Sequence, residues 1–151
     1  MSETRKRGGR ILSTRAFTIH VPGKPVAQPR QRMSARGGIA RSYLPNKHPI
    51  HAFKAAVRLA AKGCPVFEKD VPLRVIIVLH FAMPTTWSKR KREQNRGKGN
   101  TQKPDFDNLA KAVCDALADH YHDDAQICKA IIEKYWDDEN GTAIKVEEIN
   151  E

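Results

Sequence analysis

Six aspartates fall within the twenty residues 105–124, and five of them, Asp105, Asp107, Asp115, Asp123 and Asp124, lie in KPDFDNLAKAVCDAL and the HYHDDAQI that follows, with Asp119 between. Asp105 and Asp107 are two apart, so in extended backbone ahead of a helix their side chains project to the same side. Two carboxylates brought within a few ångströms repel unless a cation, a proton or a helix N-terminus offsets their charge. Two readings follow. In the first, Asp107 caps a helix, Asp105 fixes the Pro104 turn, Lys111 pairs with Asp107 or Asp115, and Asp123 and Asp124 form an ordinary turn. In the second, Asp105, Asp107 and one of the later pair bind Mg²⁺, a hard ion that prefers carboxylate oxygens and keeps waters useful in phosphate chemistry.

Several elements must position these acids. DNLAKAVCDALAD places Leu109, Val113, Ala116 and Leu117 on one apolar face, which predicts an amphipathic helix with Asp107 as its N-cap. Upstream, PLRVIIVLHFAMP is apolar on both alternating faces, the pattern of a central strand covered on both sides. PIHAFKAAVRLAAKG predicts a helix from Pro49 to Lys62, with Phe53, Val57 and Ala60 or Ala61 inward and Gly63 as terminator. AFTIHVPG alternates like a strand. ICKAIIEKYW and TAIKVEEI, separated by DDENG, suggest a closing antiparallel hairpin. The sum is an α+β fold, a mixed or antiparallel sheet with two main helices packed on it. One domain over residues 16–151 is expected, preceded by a flexible basic arm over residues 1–15. KPVAQPRQRMSARGGIARSYLP reads as a long loop. Residues 85–103 read as a mobile basic loop, or a helix frayed at both ends.

Charge is divided unevenly. Residues 1–103 hold 23 Lys and Arg against 4 Asp and Glu, whereas residues 104–151 hold 4 against 13. A cationic surface gains affinity for a polyanion by releasing counterions, so nucleic acid is the leading partner and an anionic membrane the next. Candidate phosphate contacts are Lys89, Arg90, Lys91, Arg92, Arg96, Lys98 and Lys103, then Arg30, Arg32, Arg36 and Arg41 in the long loop. Trp87 and Tyr43 either stack on unpaired bases or cover a core edge. His48, His51, His120 and His122 lack a recognised zinc spacing. Three widely spaced cysteines without a C-x-x-C pair fit a reducing cytoplasm. No apolar run approaches the roughly 18 residues of a membrane span, and MSETRKRGGR lacks the apolar core of a secretory signal.

The run from Lys103 to Ile127 resembles the signature of the RusA-type crossover-junction endodeoxyribonucleases, the Holliday junction resolvases of bacteria and their phages. D-x-D-N-L-x-K, A-x-x-D-A-L and D-D-x-Q-[VI] are all present, and the likeness extends over roughly residues 16–149. The resemblance implies that Asp105, Asp107 and Asp124 are metal-binding acids, that Asp123 is the first acid of the D-D pair, and that Lys111 is catalytic or contacts DNA. It assigns Asn108 to orienting a carboxylate or a phosphate. It further implies an α+β homodimer in a bacterial or phage-infected cell, acting with Mg²⁺ or substituting Mn²⁺ on four-way junctions. Hydrolysis would leave a 5′ phosphate and a 3′ hydroxyl. The alternatives are a non-catalytic basic nucleic-acid-binding module, in which the acids only cap and turn the chain, and a less selective structure-dependent nuclease.

Overall fold

The computed structural model describes residues 15–29 and 47–150, together with the backbone of four short strands: β1 (Thr4–Arg7), β2 (Arg10–Ser13), β4 (Arg32–Ser34) and β5 (Arg41–Tyr43). β1 pairs antiparallel with β2, and β4 with β5. The expected basic arm and the expected long loop therefore each contain a two-stranded ribbon.

The body is one four-stranded mixed sheet in the order β3 (Ala16–Pro22), β8 (Gly141–Glu148), β6 (Leu73–Ala82), β7 (Ile127–Asp137). β8 runs antiparallel to both of its neighbours, and β6 and β7 are parallel. Leu73, Val75, Ile77, Leu79 and Phe81 of β6 are buried with Ile144 and Val146 of β8 and Phe17, Ile19 and Val21 of β3. Against this face lie α1 (Pro49–Ala61), through Ile50, Phe53, Val57 and Ala61, and α3 (Phe106–Ala116), through Leu109, Ala112, Val113 and Ala116. The Nδ1 of His48 accepts from the Ile50 amide at 3.0 Å and caps α1. Gly63 takes the left-handed φ of 83° just past the helix end, which a side chain would resist.

Three expectations change. β6 is central, but only one of its faces is buried; Ile76, Val78 and His80 on the other are half-buried. The final two strands form no hairpin with each other, because β6 lies between them. The connecting turn instead wraps the end of β6, where the Ala82 amide donates to Asn140 Oδ1 at 2.8 Å and the Met83 amide to the Asp137 carbonyl at 3.0 Å. Residues 85–103, expected as a mobile loop or frayed helix, hold the short helix α2 (Lys89–Asn95) and then hydrogen-bond along the edge of β7. Gly97 and Asn100 amides donate to the Trp136 and Lys134 carbonyls, and the Trp136 amide donates back to Lys98. Trp87 packs edge-on against Trp136 at 4.9 Å with the Lys91 ammonium over its ring, so it covers a core edge. No helix among the described residues is long and apolar enough to cross a membrane.

Candidate metal centre and nucleic-acid interface

The edge segment delivers the chain to the start of α3, and there Asp105 and Asp107 line one hollow of about 580 Å³ with Asn100, Gln102, Lys103 and Lys134. Asp105, not Asp107, holds the N-cap position, and its carboxylate makes no capping hydrogen bond. That carboxylate faces Lys103 instead, 2.8 Å from Nζ at one oxygen and 3.0 Å at the other. The hydrogen bond from Lys103 holds its carboxyl below the usual range, and the charges of Lys103 and Lys134 act in the same direction. Asp107, in the first turn, accepts the Asn108 amide at Oδ1, 2.9 Å away, and sits where a helix N-terminus favours an anion. Both carboxylates are solvent-exposed; Asp105 makes no capping hydrogen bond and pairs with Lys103, while Asp107 satisfies a first-turn amide through one oxygen. The helix start therefore uses Asp107 in part, with the cap position itself two residues earlier than expected.

Lys111 is exposed one helical turn beyond Asp107 and has no ion-pair partner among the described residues. Asp115 pairs with Lys54 of α1 at 3.7 Å, which ties the two helices together. Asn108 contributes through its backbone: its carbonyl accepts the Gln28 amide at 2.9 Å. That bond anchors the start of the arginine-bearing loop on the first turn of α3. Arg30 and Arg36 lie outside the described residues, as does the side chain of Arg32. Lys89, Arg90 and Lys91 are exposed on α2 and Arg92 is half-buried.

The later acids differ from each other. Asp123 caps a short 3₁₀ turn, its Oδ1 accepting the Ala125 amide at 2.9 Å, so this side chain has a structural use. Asp124 is exposed beside the buried Tyr121 and the second half of α3. Burial, with the nearby charges of Asp124 and Asp115, pushes the Cys114 thiol up to about 11. Burial likewise raises the Tyr121 phenol, whose hydroxyl donates to the Cys114 carbonyl. Seven residues of helix, about 10 Å of rise, separate Asp107 from Cys114. Asp105 and Asp107 line one hollow that Asp124 does not, and no three His, Cys, Asp or Glu among the described residues are gathered closely enough to hold an ion.

Two further residues escaped sequence reasoning. Gln126 of the D-D-x-Q run is buried, and its Oε1 accepts the His122 and Asp123 amides while its Nε2 donates to the Glu68 and Val71 carbonyls. Gln126→Leu leaves those four groups without partners, each worth about 1–3 kcal/mol if it stays buried. Urea unfolding is expected to show a loss of at least several kcal/mol. The other is Lys134, a lysine among the inward residues Ile132 and Trp136 of β7; a cation at an inward strand position was the available signal.

The fold and site define a small α+β domain whose exposed carboxylate pair opens at a helix start beside lysines. A family model described as "Endodeoxyribonuclease RusA" matches residues 22–147. The chain is also 31% identical, over 141 residues covering 89% of it and 96% of the relative, to the "Uncharacterized protein YqaN" of Bacillus subtilis (strain 168). This chain belongs to the RusA endodeoxyribonuclease family.

Proposed function

We propose that the protein is a Mg²⁺-dependent endonuclease that resolves four-way DNA junctions. The observation that carries this reading is that Asp105 and Asp107 line one solvent-open hollow within the family's matched region, Asp105 making no capping hydrogen bond. The donor set fits a hard divalent ion, since Mg²⁺ is commonly held by one or two carboxylates with waters and substrate phosphate completing its shell. Asp105 and Asp107 would hold it, and Mn²⁺ would serve in its place; Asp124, the third acid of the family pattern, does not line that hollow and would join them only if its turn approached on ion binding. When bound, the ion lowers the pKa of a bound water and offsets charge on the scissile phosphate and the leaving 3′ oxygen.

The remaining work falls to the chain. Asp105, held below the usual carboxylate range by its hydrogen bond from Lys103, is ionised at neutral pH, and an ion would have to displace that ammonium to reach its oxygens. Lys103, now paired with Asp105, is freed to meet a phosphate once that carboxylate is engaged. Lys111 supplies positive charge where negative charge builds on the phosphoryl oxygens. The α2 cations hold duplex arms through their phosphates. Replacing Lys89, Arg90, Lys91 and Arg92 with glutamine is expected to flatten the salt dependence of junction binding by about 0.9 in log–log slope for each phosphate contact removed.

Two nicks in a nearly two-fold substrate require two sites, so a homodimer belongs to this reading. The open sheet face, where Ile131 is 46% exposed beside Ile76 and ringed by the Arg74–Glu147 and Lys145–Glu147 pairs, offers a second copy a small apolar patch within a charged rim. Sedimentation is expected to give a dimer, and Ile131→Asp a monomer that nicks one strand without resolving the junction. The test of the whole reading is cleavage of a four-way junction beside flap and plain duplex with Mg²⁺. Paired nicks confined to the junction support it. Equal cleavage of all three would indicate a less selective nuclease, and binding without cleavage would leave only a binding module.

A further inference from the structure

Lys134 lies on the helix-bearing face of β7, its backbone register opposite the fully buried Leu79 of β6. An ammonium there loses water, and burial lowers its pKa while the charge of Asp105 opposes the shift. Nζ is nevertheless well used: it donates to the Gln102 and Pro104 carbonyls at 2.6 Å each. The Lys134 carbonyl accepts the Asn100 amide at 3.0 Å. One residue therefore grips the chain at Asn100, Gln102 and Pro104, directly before Asp105, and lines the same hollow as the two acids. Gln102 is exposed, so water could solvate its carbonyl without help. A half-buried ammonium adds fixed geometry instead, as groups behind metal ligands do.

We propose that Lys134 is a positioning residue that sets the Asp105 carboxylate for the divalent ion by holding the Gln102 and Pro104 carbonyls. This rests on the metal reading above and deepens it. The test is calorimetric titration of the free protein with Mn²⁺, in the parent, Lys134→Met, Asp105→Asn and the double variant, with thermal unfolding of each. Lys134→Met is expected to weaken Mn²⁺ binding about 10-fold and to add nothing further in the Asp105→Asn background. Parent-like or tighter binding by Lys134→Met overturns the inference, because a mere charge effect would tighten it. So does a loss that multiplies with that of Asp105→Asn, which would mark an independent structural role. If Lys134→Met does not fold, Lys134→Gln carries the same comparison. Unchanged binding in Asp105→Asn overturns the ligand assignment itself; impaired binding there with parent-like Lys134→Met overturns the Lys134 inference alone.

Discussion

Asp107→Asn is expected to abolish Mg²⁺-dependent junction cleavage while leaving the protein folded and bound to DNA. The asparagine oxygen can still accept the Asn108 amide that Oδ1 of Asp107 accepts at 2.9 Å, and the side chain is exposed, so packing is untouched. What is lost is one negative charge from a pair whose mutual repulsion an ion would offset. Ion-dependent stabilisation of the transition state is worth several kcal/mol, so the cleavage rate should fall on the order of 10³-fold or more. Junction affinity without divalent ion should rise slightly, because a repulsive charge leaves the phosphate-facing surface. Gel-shift and cleavage assays on one preparation separate these effects. Parent-like cleavage by Asp107→Asn would mean that the acids serve no ion.

Lys111→Ala is the second large effect. Lys111 is exposed, lacks an ion-pair partner among the described residues, and sits mid-helix where alanine is a better helix former. Stability should hold or improve slightly. Removing a charge aimed at a developing phosphoryl anion costs about 10²–10³ in rate, whereas removing one of several phosphate contacts weakens binding only modestly. Single-turnover cleavage at saturating protein should therefore drop while half-saturation changes little. A loss confined to binding would reassign Lys111 to gripping DNA.

Helix α3 and strand β6 were legible because their side-chain periods are strong: Leu109, Val113 and Ala116 are buried, as are Val75, Ile77 and Leu79. Strand neighbours were not, since the alternation of Thr142, Ile144 and Val146 in β8 states which face is inward but not which strands flank it. Within residues 85–103 the helix alternative is met by α2, whereas the docking of Gly97, Lys98 and Asn100 on β7 runs through backbone groups that a side-chain pattern does not display. At the site, Asp105 and Asp107 both line one hollow, but not by the extended spacing expected, because Asp107 lies within the first turn of α3 and the cap falls two residues earlier. Asp123 was grouped with the ligands, and its cap on the 3₁₀ turn shows how one short side chain can serve local backbone while its neighbour does not. Lys134 shares the strand parity of Ile132 and Trp136, a signal that a lone lysine, ordinarily solvent-facing, obscures; the pairing with Leu79 of β6 makes it plain.

The most direct measurement is a crystal structure of the protein soaked in Mn²⁺, with the ion located by its anomalous signal. The account predicts a peak within coordination distance of carboxylate oxygens from both Asp105 and Asp107, with Lys103 withdrawn from Asp105. A fully loaded crystal with no peak there, and the Lys103–Asp105 pair intact, would contradict it.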